Sequence, residues 1–162
     1  MEIRSDDVTW TDPTCPVART LDLVGDRWSL LIVRDAMDGA RAFTDFQQRT
    51  GIARNILTDR LRRLTERGIL DRRTAPTGKR QLYALTPAGR DLFAVVVALR
   101  QWGERHAFAA GEDRSVLVDQ RGHQLPDLLP RNSRGVRVGP ETTSVRAAVP
   151  GSVNESAYDL PD

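Results

Sequence analysis

Residues 44–86 read TDFQQRTGIARNILTDRLRRLTERGILDRRTAPTGKRQLYALT. Thr44 has the side chain of a helix N-cap, and a brief helix is predicted from it to about Arg49, with Phe46 facing inward. Phe43, just before it, reads as a short strand or a core anchor. Thr50-Gly51-Ile52 makes a turn. Leu57, Leu61 and Leu64 then recur at spacings of four and three, one face of a predicted helix from about Arg54 to Arg67 that Gly68 ends. A short helix, a tight glycine turn and a longer helix make a helix-turn-helix. Ile69 to Arg73 and Gln81 to Leu85 have strand character, and the loop between them carries Pro76 and Gly78. Two strands joined by a basic loop directly after a helix-turn-helix make a wing.

Upstream, Pro16 suits the first position of a helix whose cap is Cys15. Val17, Leu21 and Val24 share one face of it, Gly25 reads as its stop, and Asp26 as the cap of the next helix. That second helix runs from about Arg27 to Met37, with Trp28, Leu31, Ile32 and Ala36 inward and Asp38-Gly39 at its end. Downstream, Thr86-Pro87 opens a long helix predicted to continue to about Ala110. Leu92, Val95, Leu99, Trp102 and His106 form a heptad seam along it. The seam is a dimerisation surface or a core helix packed on its own domain; so apolar a helix near the end of a small domain favours the dimer. The fold class is therefore mainly α with a small β-wing (α+β). An arm spans residues 1–12, the winged domain with its dimerisation helix residues 13–110, and a loop- and β-rich extension residues 111–162, with β-like pieces at Val116-Leu117-Val118 and Gly135 to Val138 and a loose tail from about Val153.

Bulk properties narrow the function. The 162 residues are 40% hydrophobic, enough for one ordinary domain with a core. No apolar run approaches the roughly 20 residues that span a bilayer, and the N-terminus lacks the basic-then-apolar order of a secretory signal. A single cysteine, Cys15, permits no intrachain disulfide, so a cytoplasmic protein without membrane contact is expected. Charge is uneven: residues 34–80 carry twelve Lys/Arg against six acids, while residues 1–33 carry three against six. Local positive charge of this kind favours a polyanion, nucleic acid above all, although a solvated arginine-rich surface has the same count.

The ordered set Cys15-Pro16-Val17, Asp26-Arg27-Trp28, Phe43, Gly51-Ile52, Leu57-Thr58, Leu61, Leu64, Gly68-Ile69-Leu70, Arg72, Tyr83-Ala84-Leu85-Thr86 and Gly89 resembles the HxlR family of winged-helix regulators, relatives of the MarR group. The likeness covers about residues 13–107. It implies homodimers that bind operator DNA near promoters and often respond to reactive electrophiles or oxidants. Two departures stand out. Ala53 occupies a position where the family commonly has Ser, which leaves the second helix of the motif without a side-chain cap, at about 1 kcal/mol. The wing loop Thr77-Gly78-Lys79-Arg80 replaces a more proline-rich turn.

In a helix-turn-helix, the start of the second helix meets base edges in the major groove. Arg54 and Asn55 suit guanine and adenine edges, and Thr58 a thymine methyl or a phosphate. Arg62 and Arg63, one to two turns on, reach for phosphates; Asp59 is the residue expected to be merely solvated. Arg72 and Arg73 flank the wing, and Lys79 and Arg80 at its tip reach phosphates or the minor groove. The expected partner is double-stranded operator DNA, bound by a homodimer on a pseudo-palindrome with half-sites about one helical turn apart. A winged helix used only for protein contacts is the alternative, disfavoured by the basic excess. Cys15 at a helix N-cap has the position of a sensor thiolate, with Arg19 adding positive charge if it faces the same way. It equally has the character of a small buried hydrophobe.

No cofactor or metal is expected. His106 and His123 are the only histidines, and their spacing marks no metal site. Arg121-Gly122-His123 and Arg131-Asn132-Ser133-Arg134-Gly135 are similar to the Cys-Gly-His and Cys-x-x-Cys-Gly elements of a small zinc ribbon, with arginines in place of cysteines. They read as a zinc-free β-unit or as an unrelated loop-rich tail. Gly-x-Ser-x-Gly, a phosphate-cradling glycine loop and the Pro-Cys-His setting of DNA-repair alkyltransferases are absent, so no enzyme is expected.

Overall fold

The computed structural model describes residues 8–76, 78 and 80–147. Its helices and strands run α1 (Pro16–Val24), α2 (Arg27–Met37), α3 (Phe43–Thr50), α4 (Arg54–Glu66), β1 (Leu70–Thr74), β2 (Gln81–Leu85), α5 (Pro87–Asp91) and α6 (Phe93–His106). The chain divides into two units, Met1–Leu125 and Pro126–Asp162, and all of these elements lie in the first. This is the α+β winged arrangement the sequence predicts.

The core of the first unit is one cluster. Ile32 and Val33 of α2, Phe46 of α3, Leu57, Leu61 and Leu64 of α4, and Leu70 of β1 are each at most 1% exposed. Burying one side chain of this size stabilises the fold by about 1.5–3 kcal/mol. The strands pair antiparallel, with Leu70 opposite Leu85 and Arg72 opposite Tyr83. A third, single-residue partner joins them: Ala42 bridges Leu82, and the Tyr83 N–H donates to the Arg41 carbonyl at 2.8 Å.

Local chemistry sets the element ends. Asp26 caps α2, accepting the N–H groups of Trp28 and Ser29, both at 3.1 Å. Gly51 sits at φ +65°, the left-handed turn that redirects the chain from α3 into α4, where a Cβ is penalised. Thr86 accepts the Gly89 N–H at 3.0 Å and donates its hydroxyl to the Gly68 carbonyl at 2.6 Å, so the end of α4 and the start of α5 share one buried side chain. A Cβ on Gly89 would stand 2.2 Å from the Ile69 carbonyl oxygen; glycine is what lets these two backbones meet.

Several expectations are corrected. Thr44 is not the cap of α3. The helix begins one residue earlier, and the Asp45 carboxylate reaches back to the Arg41 and Ala42 N–H groups at 2.9 and 2.8 Å. Gly25 is right-handed, at φ −74°, rather than a left-handed stop. The stripe on α1 splits: Val24 is buried, but Val17 is 67% and Leu21 58% exposed, because the buried residues of α1 are the two at its C-terminal end, Leu23 and Val24. The long helix after Thr86 breaks at Leu92, whose ψ of −6° departs from the helical value near −42°. Leu92 itself packs against the core, which pins the break, and α6 ends at His106 rather than Ala110. The arm is docked from residue 8 onward. Val8 and Trp10 pack on the core, the Arg19 guanidinium lies 4.6 Å over the Trp10 ring, and Thr11 donates to Asp22.

The β-like pieces of the extension each form one isolated bridge, Val118 with Gln124 in the first unit and Arg131 with Arg137 in the second. Each closes a turn in the same way. Asp119 Oδ1 accepts the N–H groups of Arg121 and His123 at 2.8 and 2.9 Å; Asn132 Oδ1 accepts those of Arg134 and Val136, both at 3.0 Å. An Asx oxygen thus organises each turn. Among the described residues no group of three or more His, Cys, Asp or Glu is placed to hold a metal ion, and no helix is long and apolar enough to cross a membrane. The tail expected from about residue 153 lies outside the described residues.

Gly89→Ala should lower stability by about 1–3 kcal/mol through the backbone clash. Gly103→Ala, in α6 with nothing within 4 Å of its added Cβ, should raise it by up to about 1 kcal/mol. Urea unfolding midpoints of the two variants test the contrast; equal shifts would refute the close approach.

Candidate nucleic-acid interface

The leucine row of α4 faces the core, so the opposite face is turned to solvent. Arg54, Asn55, Thr58, Arg62 and Arg63 are all exposed there. No side chain caps α4, since its N-cap is Ala53. Arg54 is steered rather than loose: its guanidinium lies 5.1 Å over the Phe43 ring, a cation–π contact between the two helices of the motif. Thr58 donates its hydroxyl to the Arg54 carbonyl at 2.9 Å, leaving its methyl group and its oxygen lone pairs as the contact chemistry.

Asp59 is not a merely solvated residue. It pairs with Arg60 at 2.8 Å, Arg62 at 2.8 Å and Arg63 at 2.9 Å. The hydrogen bond from Arg62 is the main reason its carboxyl is held below the usual range. Arg62 also grips both oxygens of Glu66, at 2.8 and 2.7 Å, and this pairing more than Asp59 raises its guanidinium above the ordinary arginine value. Arg62 is therefore held between two carboxylates, and a phosphate must compete with both. Arg63 has one of them.

The pattern of leucines and arginines did not reveal Arg60. Only 22% exposed, it leaves the α4 surface and donates to Asp26 Oδ1 at 2.9 Å, locking α4 to the cap of α2. Partial burial pushes the Asp26 carboxyl up, but bonds from Ser29 and Trp28 and the Arg60 charge outweigh it, and the net is a lowered value. Arg67 makes a second tie, donating to the Leu23 carbonyl at the end of α1. An arginine 34 residues from its acid has no sequence signal beyond its place one step off the leucine row.

On the wing, Arg72, Arg73 and Arg80 are exposed. Arg73 is loosely paired with Asp71 at 3.7 Å and stays 77% exposed. Arg80 lies close enough to Asp45 to lower that carboxyl, behind the larger effects of the Ala42 and Arg41 N–H groups. Lys79 lies outside the described residues. Exposed arginine thus occurs both on α4 and on the wing that follows it.

Of the expected seam, Leu92 packs against the core of its own unit, whereas Val95, Leu99 and Trp102 are 39%, 51% and 59% exposed. His106 is exposed and its ring contacts that of Trp102, with centroids 5.1 Å apart. Cys15 caps α1, its Sγ accepting the Ala18 N–H at 3.5 Å. Arg19 is directed to Trp10.

A family model described as HxlR-like helix-turn-helix matches residues 23–110. Over 91 residues the chain is 48% identical to MT3179, an uncharacterized HTH-type transcriptional regulator of Mycobacterium tuberculosis (strain CDC 1551 / Oshkosh). That match covers 56% of this chain and 58% of the relative, so the chain spans less than two thirds of that relative's length. It is 32% identical over 113 residues to YybR, an uncharacterized HTH-type regulator of Bacillus subtilis (strain 168), covering 68% of this chain and 85% of YybR. Among solved structures, the candidate transcription factor PA1607 superposes with a TM-score of 0.80 at 46% identity, covering 83% of this chain and 96% of that one. The redox regulator HypR in its reduced form superposes with a TM-score of 0.54 at 32% identity, covering 57% and 94%.

The Asp26 contribution carries a pH signature. A lowered folded value means that its stabilisation is complete above about pH 4, the ordinary aspartate value, and is lost as pH falls below it. The stability difference between wild type and Asp26→Asn should therefore be constant from about pH 7 to 5 and shrink below about pH 4. Urea midpoints across that range measure it, and a difference that grows with acid would contradict the sign.

Proposed function

Because the chain belongs to the HxlR-like helix-turn-helix family of transcriptional regulators, we propose that it works as a homodimer that occupies a pseudo-palindromic operator and represses transcription. One observation carries the reading. A helix fixed by Leu57, Leu61 and Leu64 holds Arg54, Asn55 and Thr58 outward, and the strands that follow it expose further arginines. Arg54 offers a guanine edge two parallel N–H groups, and Asn55 offers an adenine edge a donor and an acceptor. Arg63, Arg72, Arg73 and Arg80, with Lys79, supply phosphate contacts that fix position without reading sequence. Arg62 joins them only by releasing Asp59 or Glu66. A dimer seated over promoter DNA blocks polymerase, which is the simplest route to repression. The work is regulatory rather than enzymatic, and the cytoplasm is its compartment.

The dimer reading rests on exposed apolar side chains. Leu99 and Trp102 on α6 are more than half bare, and Val17 and Leu21 are bare on α1. A second copy of the chain is the partner of matching chemistry, and two-fold symmetry in the protein implies two-fold symmetry in the operator.

A thiol signal is a second strand of the proposal. Favouring it are the position of Cys15 at a helix start and the similarity to HypR, which is described as a redox regulator. With one cysteine per chain, a protein disulfide must join two chains.

Four outcomes are expected. In salt-dependent titrations on the DNA upstream of its own gene, Arg73→Ala should weaken binding to all sequences alike and lower the salt slope by about one. Arg54→Ala should instead narrow the gap between operator and random DNA, by about 1–3 kcal/mol per lost base contact. No preference for operator in the wild type at any salt would favour a protein-interaction module. Leu99→Glu should convert dimer to monomer in sedimentation, and an unchanged dimer would move the interface elsewhere. Cys15→Ser should keep its DNA affinity when oxidant releases the wild type; a variant that still lets go removes the sensor.

A further inference from the structure

The second wing strand and the end of α2 border an open hollow of about 420 Å3, within the first unit. Its apolar walls are Ala36 and Met37 of α2, Ala84 and Leu85 of β2, and Phe93 of α6, which is 46% exposed. Arg41 and Arg90 complete the lining, and both are exposed. Ligand pockets run from about 300 to 1,000 Å3 and combine apolar walls with a few placed polar groups, so the size and the lining fit a small organic molecule.

The charged groups of this hollow are of one sign. No carboxylate lines it beside the two arginines, whereas the adjoining cleft of about 630 Å3 sets Asp35 and Asp38 among its own arginines. Backbone carbonyls hold each guanidinium by a single nitrogen. Arg41 Nη1 donates to the Ala36 and Ala40 carbonyls at 2.9 and 3.1 Å, and Arg90 Nη1 to the Leu85 carbonyl at 2.9 Å. The Nε and Nη2 of both have no acceptor among the described residues. Those two nitrogens form the edge with which a guanidinium makes parallel bonds to a carboxylate, and Arg34 uses the same pair on Asp35. A guanidinium already held by a carbonyl loses less freedom when an anion arrives. What the hollow lacks is an acceptor, and both donors are accessible.

We propose that this hollow binds a small carboxylate with an apolar body, its oxygens accepting from the open edges of Arg41 and Arg90 and its body lying against Met37, Leu85 and Phe93. The walls decide between one negative charge and two. The cost of taking an ion out of water rises with the square of its charge, and five of the seven lining residues are apolar, which favours a carboxylate over a phosphate ester. Arg41 is also where the wing is tied to the helix-turn-helix. Its carbonyl accepts the Tyr83 N–H at 2.8 Å, and its neighbour Ala42 bridges Leu82. A carboxylate on Arg41 therefore bears on the seat of the wing, and so on DNA affinity. That effector role rests on the regulator reading above; binding itself does not.

Binding is tested on the full chain without DNA, by calorimetry at neutral pH with four probes. 2-Naphthoate carries the charge and the apolar body, 2-naphthol the body without the charge, acetate the charge without the body, and 2-naphthyl phosphate a second charge. 2-Naphthoate should bind at least tenfold more tightly than 2-naphthol or acetate, and more tightly than 2-naphthyl phosphate. Arg90→Gln removes one guanidinium from an exposed position and should weaken 2-naphthoate at least tenfold. Ala84→Trp fills the hollow from β2 and should abolish its binding. Circular dichroism identifies each variant as folded. A wild-type preference below tenfold over 2-naphthol or acetate, tighter binding of the phosphate, or wild-type affinity for 2-naphthoate in either folded variant would each overturn the assignment. A separate titration of operator DNA with and without 2-naphthoate reads the effector role, with Arg90→Gln as the control for ionic strength. A change in DNA affinity of threefold or more in the wild type alone supports that role, and anything less overturns it. DNA binding measured without any probe stands or falls independently of all these outcomes.

Discussion

The burial of Leu57, Leu61 and Leu64 against α2, α3 and β1 is the interaction on which the rest depends. Three leucines at spacings of four and three fix the depth of α4, its rotation about its own axis and its direction. Rotation matters most. Each residue turns the helix by about 100°, so a slip of one position would bury Thr58 and expose a leucine. Because the leucines leave no such freedom, Arg54, Asn55 and Thr58 are outward without any contact of their own demanding it. The glycine turn at Gly51 and the Asp45 reach-back to Arg41 and Ala42 set where α3 lies beneath that helix.

Two long-range ties then resist twisting of α4. Arg60 holds it to the Asp26 cap of α2, and Arg67 holds its last turn to the end of α1. Both are arginines that net charge counts as available to a polyanion. They are not. The Nη1 of Arg41 is spent on the carbonyls of Ala36 and Ala40, and Arg34 on the largely buried Asp35. The basic excess between residues 34 and 80 therefore divides into arginines that hold the domain together and arginines left on its surface. Arginine serves both ends because its planar fork makes several directed bonds at once, to carbonyls and carboxylates within the protein as readily as to phosphates outside it.

α6 shows a similar division of faces. Val97 and Gln101 are buried, while Val95, Leu99 and Trp102 remain bare. The break at Leu92 creates this geometry. It lets α5 stay under the wing, where Thr86 and Gly89 bring it against the backbone after α4, and sends α6 off in its own direction. Beyond α6, each of the two turns of the extension is closed by a side-chain oxygen of its own. Arg121 and Arg134 cannot bind zinc as thiolates would, but Asp119 and Asn132 supply an oxygen to each turn's N–H groups.

The helix-turn-helix, the wing and most helix ends were legible in the sequence because they depend on local spacing. Leucine periodicity, a cap at Asp26, a proline at the first turn and alternating strand residues act within a few positions of themselves. The exposed set Arg54, Asn55 and Thr58 followed from the leucine periodicity, since a buried row defines its opposite; Arg72 and Arg73 were read instead from their place in the wing. What the sequence could not supply depends on residues far apart along the chain. The ties of Arg60 to Asp26 and of Arg67 to Leu23 and the break at Leu92 were decided by tertiary packing, whereas the arginines on Asp59 stand within four residues of it on one helix. Periodicity specifies which way a side chain points from its own helix; only the packed neighbours determine what it meets there.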